Sequence, residues 1–226
     1  MSAMVGAEPL IRWRWVFDHL DQIWARMLEH VQLTVLAVLI GLAISLPVAI
    51  YAHRHRRAYA PITFVAGLLY TIPSLALFVL LQPFTGLTTT TAEIGLVSYT
   101  LLILIRNIVA GLDGVPADAK DAALGMGYTR RQMLWRVELP LALPVIVAGV
   151  RIATVTTVGL VTVTALIGKG GEGHFILLGL QQFFSTATIV GAVLSVALAI
   201  VADVVLLGAQ RLLTPWARSA RVRAFG

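Results

Sequence analysis

Long apolar runs alternate with short polar stretches along this chain, and their lengths predict helices that cross a membrane. A spanning helix needs about 20 mostly apolar residues, because backbone amides in hydrocarbon must find hydrogen bonds within their own segment. Five runs meet this requirement, at residues 31–52, 61–84, 94–112, 141–167 and 187–210. We therefore predict an all-α membrane protein with five transmembrane helices.

A glycine-rich stretch at residues 168–185, GKGGEGHFILLGLQQFFS, separates the last two runs. Its apolar part is shorter than a span requires, so we predict a re-entrant or surface helix there. It is not a phosphate-binding loop of the ATPase type. That motif needs a glycine five residues before Gly168 and a Ser or Thr after Lys169, and both are missing.

The composition agrees with a bilayer setting. Hydrophobic types make up 58% of the 226 residues and charged types 12%, whereas a soluble domain is nearer half apolar and a quarter charged. No charge-dense segment is left over to bind nucleic acid, so none is expected as a partner. The absence of Cys removes disulfides and thiol catalysis. The five His lack metal-ligand spacing with a carboxylate, so we predict neither a metal site nor a catalytic residue.

Lys and Arg are distributed unevenly between the two sides of the predicted spans. Residues 53–60, 113–140 and 211–226 carry eleven of them, and the segments on the alternate side carry four. Cytoplasmic segments of inner-membrane proteins collect Lys and Arg. We therefore predict a multi-pass plasma (inner) membrane protein with its N-terminus outside and its C-terminus in the cytoplasm.

The two ends of the chain differ from the membrane domain, which we assign to residues 28–212. Residues 1–27 lack the apolar core and cleavage site of a signal peptide. Their three Trp suit the headgroup level of a bilayer, which predicts an interfacial segment, with a flexible leader as the alternative. Residues 213–226 form a basic cytoplasmic tail.

The polar stretch at residues 113–140 is too long for a simple connector between helices. Asp118 and Asp121 come early in it, and Arg130 and Arg131 come late, an order that suits a helix dipole. A solvated charged loop is the alternative. A long structured loop between two spans is more typical of a partner-binding element.

Single residues in this stretch predict two short helices. Gly125 and Gly127 can each take the left-handed conformation that ends a helix, and Thr129 can cap the helix that follows. Pro140 stands where the fourth span is predicted to begin.

A motif in the same stretch resembles the "EAA" loop of the inner-membrane permease subunits of ATP-binding-cassette importers. The family pattern is Glu-Ala-Ala, three residues, Gly, nine residues, Ile, one residue, Leu-Pro. The matching positions are Asp121, Ala122, Ala123, Gly127, Val137, Leu139 and Pro140, with Asp in place of Glu and Val in place of Ile.

Longer segments extend the resemblance to roughly residues 28–208. YTIPSLALFVL, RNIVAGL and ALIGKGGEGHFI are similar to segments of the permeases of osmoprotectant importers, which take up glycine betaine, choline, carnitine or proline. Lys169 and Glu172 depart from that family, which has small or apolar residues in the glycine-rich segment.

The resemblance implies a type I importer permease fold, in which the loop at residues 113–140 is a cytoplasmic coupling helix that docks on a dimer of ATPase subunits. ATP and Mg would bind those partner chains, so this chain would hold no cofactor and would not be an enzyme. A second permease, either a copy or a paralogue, and an extracytoplasmic substrate-binding protein are the other implied partners. The residues implied in ATPase coupling are Asp121, Ala122, Ala123, Gly127, Arg130, Arg131, Leu139 and Pro140.

Two places are candidates for a pathway or gate. Pro73 lies inside the second predicted span, where proline removes a helical hydrogen bond and kinks the helix, and the hydroxyl of Thr71 or Ser74 can satisfy the freed carbonyl. A packing kink is the alternative. Gly170 and Gly171 are the second candidate, because the resemblance places the glycine-rich segment near the external mouth.

Three charged residues, Arg106, Arg151 and Asp203, fall within the predicted spans. Such charges usually face the bundle interior and pair with one another. We therefore predict that Asp203 pairs with Arg106 or Arg151, as a structural ion pair rather than a substrate site.

Other functions stay open from the sequence. An importer of amino acids or methionine has the same coupling loop. A transporter that works alone would need internal repeats, which are not evident, and a membrane scaffold would not explain the coupling loop.

Overall fold

The computed structural model describes residues 10–216, and every regular element in that range is helical. Most of the basic tail predicted at residues 213–226 lies outside the described residues. A π-helical turn spans Leu134–Glu138 and a 3-10 turn spans Thr164–Ile167. The α-helices are α1 (Trp13–Asp18), α2 (Leu20–Arg54), α3 (Arg56–Thr71), α4 (Ser74–Thr85), α5 (Thr89–Asp113), α6 (Ala117–Gly125), α7 (Arg130–Met133), α8 (Leu139–Val163), α9 (Gly173–Gln182) and α10 (Ser185–Leu213).

Four helical stretches are long and apolar enough to cross a membrane singly. They are α2, α5, α10 and the continuous helix Arg130–Ile167, which joins α7, the π turn, α8 and the 3-10 turn. The second predicted span is instead the pair α3 and α4, which meet at an angle of 94°. The predicted all-α membrane fold is confirmed, whereas a single continuous helix over residues 61–84 is wrong.

The break between α3 and α4 follows from the proline. Ile72 has extended backbone angles (φ −63°, ψ 127°), because the residue before a proline is disfavoured in the helical region. Pro73 has no N–H to donate into the preceding turn, and α4 starts directly after it at Ser74. The predicted kink at Pro73 is therefore a complete stop of the helix.

Helix α2 begins at Leu20, well before residue 31, where the first apolar run starts. Polar residues in its early turns interrupt the apolar run without ending the helix. Arg26 and Glu29, for example, are three positions apart and their side chains pair at 2.7 Å. The predicted interfacial segment therefore includes the start of α2 as well as the short helix α1.

Helix α5 lies at the centre of the bundle and packs against α2, α3, α4 and α8. Small residues at the contacts let the backbones approach closely. A Cβ added at Gly41 of α2 would lie 3.0 Å from the Cβ of Thr100, and one at Gly149 of α8 would lie 2.4 Å from the Cβ of Asn107. Such contacts are typical of membrane helices, where packing rather than hydrophobic burial drives association.

Two apolar clusters fill the bundle, one toward each end. The cluster near the segment between α5 and α8 includes Leu104, Ile108, Leu112, Leu134 and Ala142. The cluster at the opposite end includes Leu33, Phe78, Leu96, Val161 and Ile167. Helix α10 is different, since much of its apolar surface is exposed in the isolated chain, as expected for a helix that faces lipid.

The contact between α5 and α8 predicts a matched pair of substitutions. Gly149→Ala should lower the free energy of unfolding by about 1–3 kcal/mol, because the added methyl group meets the Cβ of Asn107 and overpacks the contact. Gly159→Ala, on the same helix with open space around it, should be neutral or stabilising by up to about 1 kcal/mol. Unfolding of the two variants in detergent measures the difference, and equal effects would contradict it.

Candidate functional site

The predicted coupling loop folds as two helices joined by a tight turn, between the ends of α5 and α8. Helix α6 closes with the N–H of Gly127 bonded to the carbonyl of Leu124 (2.9 Å) and that of Tyr128 bonded to the carbonyl of Ala123 (3.0 Å). Gly127 has a φ of +79°, in the left-handed region that glycine adopts without strain. The prediction that Gly127 ends the first helix is confirmed.

The second helix starts with a reciprocal cap. The Thr129 hydroxyl accepts a hydrogen bond from the backbone N–H of Gln132 (3.3 Å), and the Gln132 side-chain oxygen accepts one from the N–H of Thr129 (2.8 Å). This is a capping box, which fixes where the helix begins. The predicted capping role of Thr129 is confirmed.

The helix that begins at Arg130 does not stop before the membrane. A π-helical turn, Leu134–Glu138, carries it directly into α8, whose first residues are Leu139 and Pro140. Pro140 therefore stands at the start of α8, as predicted, but not at the start of a separate helix. One uninterrupted helix therefore runs to the far end of the bundle from residues 113–140, which we call the coupling segment after their predicted role.

The outer face of this segment carries apolar as well as charged side chains. Leu124 is 57% exposed and Met126 is 67% exposed, although both lie outside the helices that could span a membrane. The other exposed residues of the segment include Asp121, Ala122, Gly127, Arg130 and Arg131. Exposed apolar groups next to charges are typical of a protein–protein contact.

Ala123 differs from the expectation that both alanines of the motif face a partner. It is 1% exposed, since adjacent residues on a helix point about 100° apart and Ala123 is turned toward the neighbouring elements. Ala122 takes the outer position. Ala123 packs inward, on the side where α6 contacts the π turn.

Polar contacts fasten the coupling segment to the ends of the membrane helices. Lys120 of α6 lies 3.8 Å from Glu138 of the π turn. The Arg54 guanidinium, at the end of α2, donates to the carbonyl of Arg130 (3.3 Å). A cleft of about 420 Å³ lies between these elements, with Leu124 and Met133 in its lining.

A second polar cluster joins α2, α3 and α5 at the same end of the bundle. Asp113 accepts a hydrogen bond from His53 Nδ1 (2.6 Å) on one oxygen and one from Arg56 (2.6 Å) on the other. The sequence analysis missed this cluster. The sequence indicates only that charged residues follow directly after the first and third apolar runs. It does not indicate which of these residues contact one another.

The break at Pro73 exposes carbonyls that other side chains satisfy. The Thr71 hydroxyl donates to the carbonyl of Leu68 (2.8 Å), one residue before the Leu69 carbonyl that Pro73 leaves free, so it does not fill the role predicted for it. The hydroxyl of Tyr99, on α5, donates to the carbonyl of Ile72 and was not foreseen. Ser74 is the first residue of α4. The place of Thr71, Pro73 and Ser74 in a transport pathway stays a prediction.

The glycine-rich turn at residues 168–172, which leads into α9, packs tightly between neighbouring helices. A Cβ at Gly170 would lie 2.4 Å from the backbone nitrogen of Ala165, and one at Gly171 would lie 2.4 Å from the Cβ of His30. Both glycines also have positive φ angles, 125° and 50°. The short helix predicted in this region is α9. The gating role of Gly170 and Gly171 stays a prediction.

His30 joins this turn to two membrane helices and was also missed. Its Nε2 lies 3.0 Å from the carbonyl oxygen of Val158, and its Nδ1 lies 3.4 Å from the backbone nitrogen of Glu172. A carbonyl only accepts and an N–H only donates, so His30 donates from Nε2 and accepts at Nδ1. The packed arrangement therefore requires the neutral imidazole with its proton on Nε2.

Asp203 pairs with Arg151, one of its two predicted partners. Its two oxygens accept hydrogen bonds from Nε (2.9 Å) and Nη2 (2.8 Å) of the guanidinium, a bidentate pair between α8 and α10. Gln210 extends the network, since it accepts from Arg151 (3.4 Å) and donates to the carbonyl of Pro144 (3.0 Å). Arg106 is exposed on α5.

Comparison with known proteins shows that this sequence matches a known family. Residues 23–219 match the family described as "Binding-protein-dependent transport system inner membrane component". The chain is 35% identical to the choline transport system permease protein OpuBB of Bacillus subtilis, over 83% of this chain and 86% of that protein. It is also 35% identical to the osmoprotectant import permease protein OsmW of Salmonella typhimurium, over 89% and 96%. The carnitine transport permease protein OpuCB of Listeria monocytogenes is 34% identical, over 85% and 89%.

Solved structures share the fold at lower identity. The MetNI methionine ABC transporter in its inward-facing conformation contains a chain with a TM-score of 0.75 and 23% identity, covering 85% of this chain and 96% of that one. An amino acid ABC transporter crystallised with histidines gives a TM-score of 0.70 and 16% identity, over 89% and 98%. The chain therefore shares its overall fold with chains of these ABC transporters.

The pair between Arg151 and Asp203 predicts a selective coupling. Asp203→Ala should lower the melting temperature in detergent, because it leaves the Arg151 guanidinium without its carboxylate. The double variant Asp203→Ala/Arg151→Ala should be more stable than the sum of the two single effects predicts. The same cycle run with Arg106→Ala should give additive effects. Additivity with Arg151, or coupling with Arg106 alone, would contradict the assignment.

Proposed function

Because the chain belongs to the family of binding-protein-dependent transport system inner membrane components, we propose that it forms the solute pathway of an ATP-driven importer. The observation that carries the proposal is the match of this family along the membrane helices, together with an ordered helix–turn–helix between α5 and α8. A multi-pass permease of this kind is a transport subunit and not an enzyme.

The solute is a quaternary-ammonium osmoprotectant: glycine betaine, choline, carnitine or, as a related compatible solute, proline. Support comes from the permeases named for choline, carnitine, glycine betaine and osmoprotectant transport, which are 32–35% identical to this chain over more than four-fifths of its length. Methionine or histidine transport has weaker support, because the solved transporters for those solutes share only the fold at 16–24% identity.

The coupling segment contacts the ATPase. Leu124 and Met126 present exposed apolar side chains beside the charged groups of Asp121, Arg130 and Arg131. Met and Arg are enriched at protein interfaces, where polar groups form a rim around an apolar centre. ATP and Mg bind on the ATPase dimer, and a second permease, a copy or a paralogue, completes the membrane domain. An extracytoplasmic substrate-binding protein delivers the solute to the opposite end of the bundle.

Uptake by the assembled transporter tests this proposal. Proteoliposomes that contain the permease with its cognate ATPase and binding protein should accumulate labelled choline, glycine betaine, carnitine or proline when ATP is supplied. Gly127→Trp should abolish uptake while ATP hydrolysis continues, because the bulky residue strains the left-handed turn and displaces the docking face.

Gly208→Trp is the matched control. Gly208 lies on α10 with open space around it, so the same substitution there should preserve uptake. Full uptake by the Gly127→Trp transporter would refute the coupling role. Uptake of methionine or histidine in place of the four osmoprotectants would refute the solute class alone.

The orientation in the membrane has its own test. We propose that the coupling segment is cytoplasmic and the glycine-rich turn is external, from the uneven distribution of Lys and Arg. The chain has no Cys, so single Cys residues can be placed at will. In intact cells, a thiol reagent that cannot cross membranes should label Phe183→Cys, where the native side chain is 96% exposed, and should miss Met126→Cys. The reverse labelling pattern would overturn the proposed topology.

A further inference from the structure

The glycine-rich turn contains a buried carboxyl group that no part of the proposed transport function uses. Glu172 is 0% exposed, and neither of its side-chain oxygens has a hydrogen-bond partner among residues 10–216. Buried polar groups in native proteins almost always find partners, and a buried charge without one is far more costly than a buried neutral group. This orphaned carboxyl therefore calls for a physical explanation.

The two glycines that flank Glu172, Gly171 and Gly173, lie in close contact with neighbouring helices. A Cβ at Gly173 would lie 2.2 Å from the carbonyl oxygen of Thr162 on α8, and one at Gly191 of α10 would lie 2.7 Å from the carbonyl oxygen of Glu172 itself. On the α2 side, Gly171 is pressed against His30 in the same way. We call this meeting of α2, α8, α9 and α10 around residues 170–173 the glycine junction.

The charged groups around the glycine junction do not neutralise an ionised Glu172. On α2, Arg26 is near enough to act on it, but the Arg26 guanidinium donates to Glu29 at 2.7 Å. His30 is held neutral by its two backbone contacts. His174, on α9, has a pKa lowered by burial, which favours its neutral form. At their contacts with the junction, α8 and α10 contribute Val158, Thr162 and Gly191, which carry no charge.

We infer that Glu172 is a proton-binding site, which holds its proton while the glycine junction is packed and releases it to water when the junction opens. The ligand is the proton itself. A neutral carboxylic acid is compatible with a site closed by glycine backbones, whereas a carboxylate there lacks both hydration and a counter-ion. Occupancy of this site sets how firmly the turn between α8 and α9 is held.

The titration of Glu172 gives the direction of the pH dependence. Burial raises the pKa of Glu172 from 4.5 to about 7, against a smaller opposing effect of Arg26. Between these two values the packed junction binds one proton more than the open junction does. The ratio of packed to open junction should therefore fall about tenfold per pH unit as the pH rises through this window, and should level off above about pH 7.

Amide hydrogen exchange on the full chain in lipid nanodiscs tests the inference. Protection of residues 168–178, corrected for the intrinsic pH dependence of exchange, should fall about tenfold per unit between about pH 5 and pH 7. Glu172→Gln, which is neutral at every pH, should abolish this fall. The matched control is Glu93→Gln on α5, which removes a second carboxyl group that is buried without partners among residues 10–216 and should leave the fall unchanged.

Two results would overturn the inference: an unaltered fall in Glu172→Gln, or its loss in Glu93→Gln. Infrared spectroscopy gives an independent measurement if Glu172→Gln does not fold. In Glu93→Gln protein, the carbonyl band of a protonated carboxylic acid should disappear with a midpoint near pH 7. The absence of such a band would show that Glu172 is ionised in the packed junction. Neither measurement involves a solute or an ATPase, so their outcome is independent of the proposed transport function.

Discussion

The close approach of α5 to α2 and α8 determines where the coupling segment of this protein lies. At Gly41 and Gly149 the neighbouring side chains of Thr100 and Asn107 occupy the space that a Cβ would need. Contacts this tight allow one relative position of the helices, because any slip along the axis brings larger residues into the gap. The coupling segment is held between the ends of two of these helices, α5 and α8, so its position follows from theirs.

Glycine residues also allow close backbone contacts at the opposite end of the bundle, but the consequence there is the burial of an ionisable side chain. There, glycines of a turn rather than of a helix lie against the backbones of α2, α8 and α10. Tight packing of a turn excludes water from whatever side chain it carries, and at Glu172 that side chain is ionisable. Close contacts at glycine thus hold the helices rigidly in the middle of the bundle, and at its end they make the packing of a turn sensitive to protonation.

The sequence predicted the parts of this structure that depend on local chemistry. The left-handed turn at Gly127 and the cap at Thr129 each follow from the properties of one residue and its neighbours, and so does a distortion at Pro73, which was predicted as a kink and is a complete break. Pairing of Asp203 was foreseen because a charge in hydrocarbon needs a partner. Asp203 pairs with Arg151 rather than Arg106 because of how α8 and α10 are rotated about their axes. That rotation cannot be read from the local sequence.

Contacts between distant segments were not predictable in the same way. His30 and Glu172 are 142 positions apart, and His53 and Asp113 are 60 apart. Each residue alone has several plausible roles, and only the packing of the helices selects one. Likewise, the early polar residues of α2 concealed its start at Leu20, because apolar length marks the part of a helix in hydrocarbon and not its full extent.

The continuous rod from Arg130 to Ile167 has a mechanical consequence. Its π turn separates a short arm, the four residues of α7, from a long arm, the 25 residues of α8. At 1.5 Å per residue these arms are about 6 Å and about 38 Å long. The long arm is held against α5 at Gly149, so a displacement of the short arm is opposed by that contact, and the rod joins the coupling segment to the glycine junction as one stiff helix.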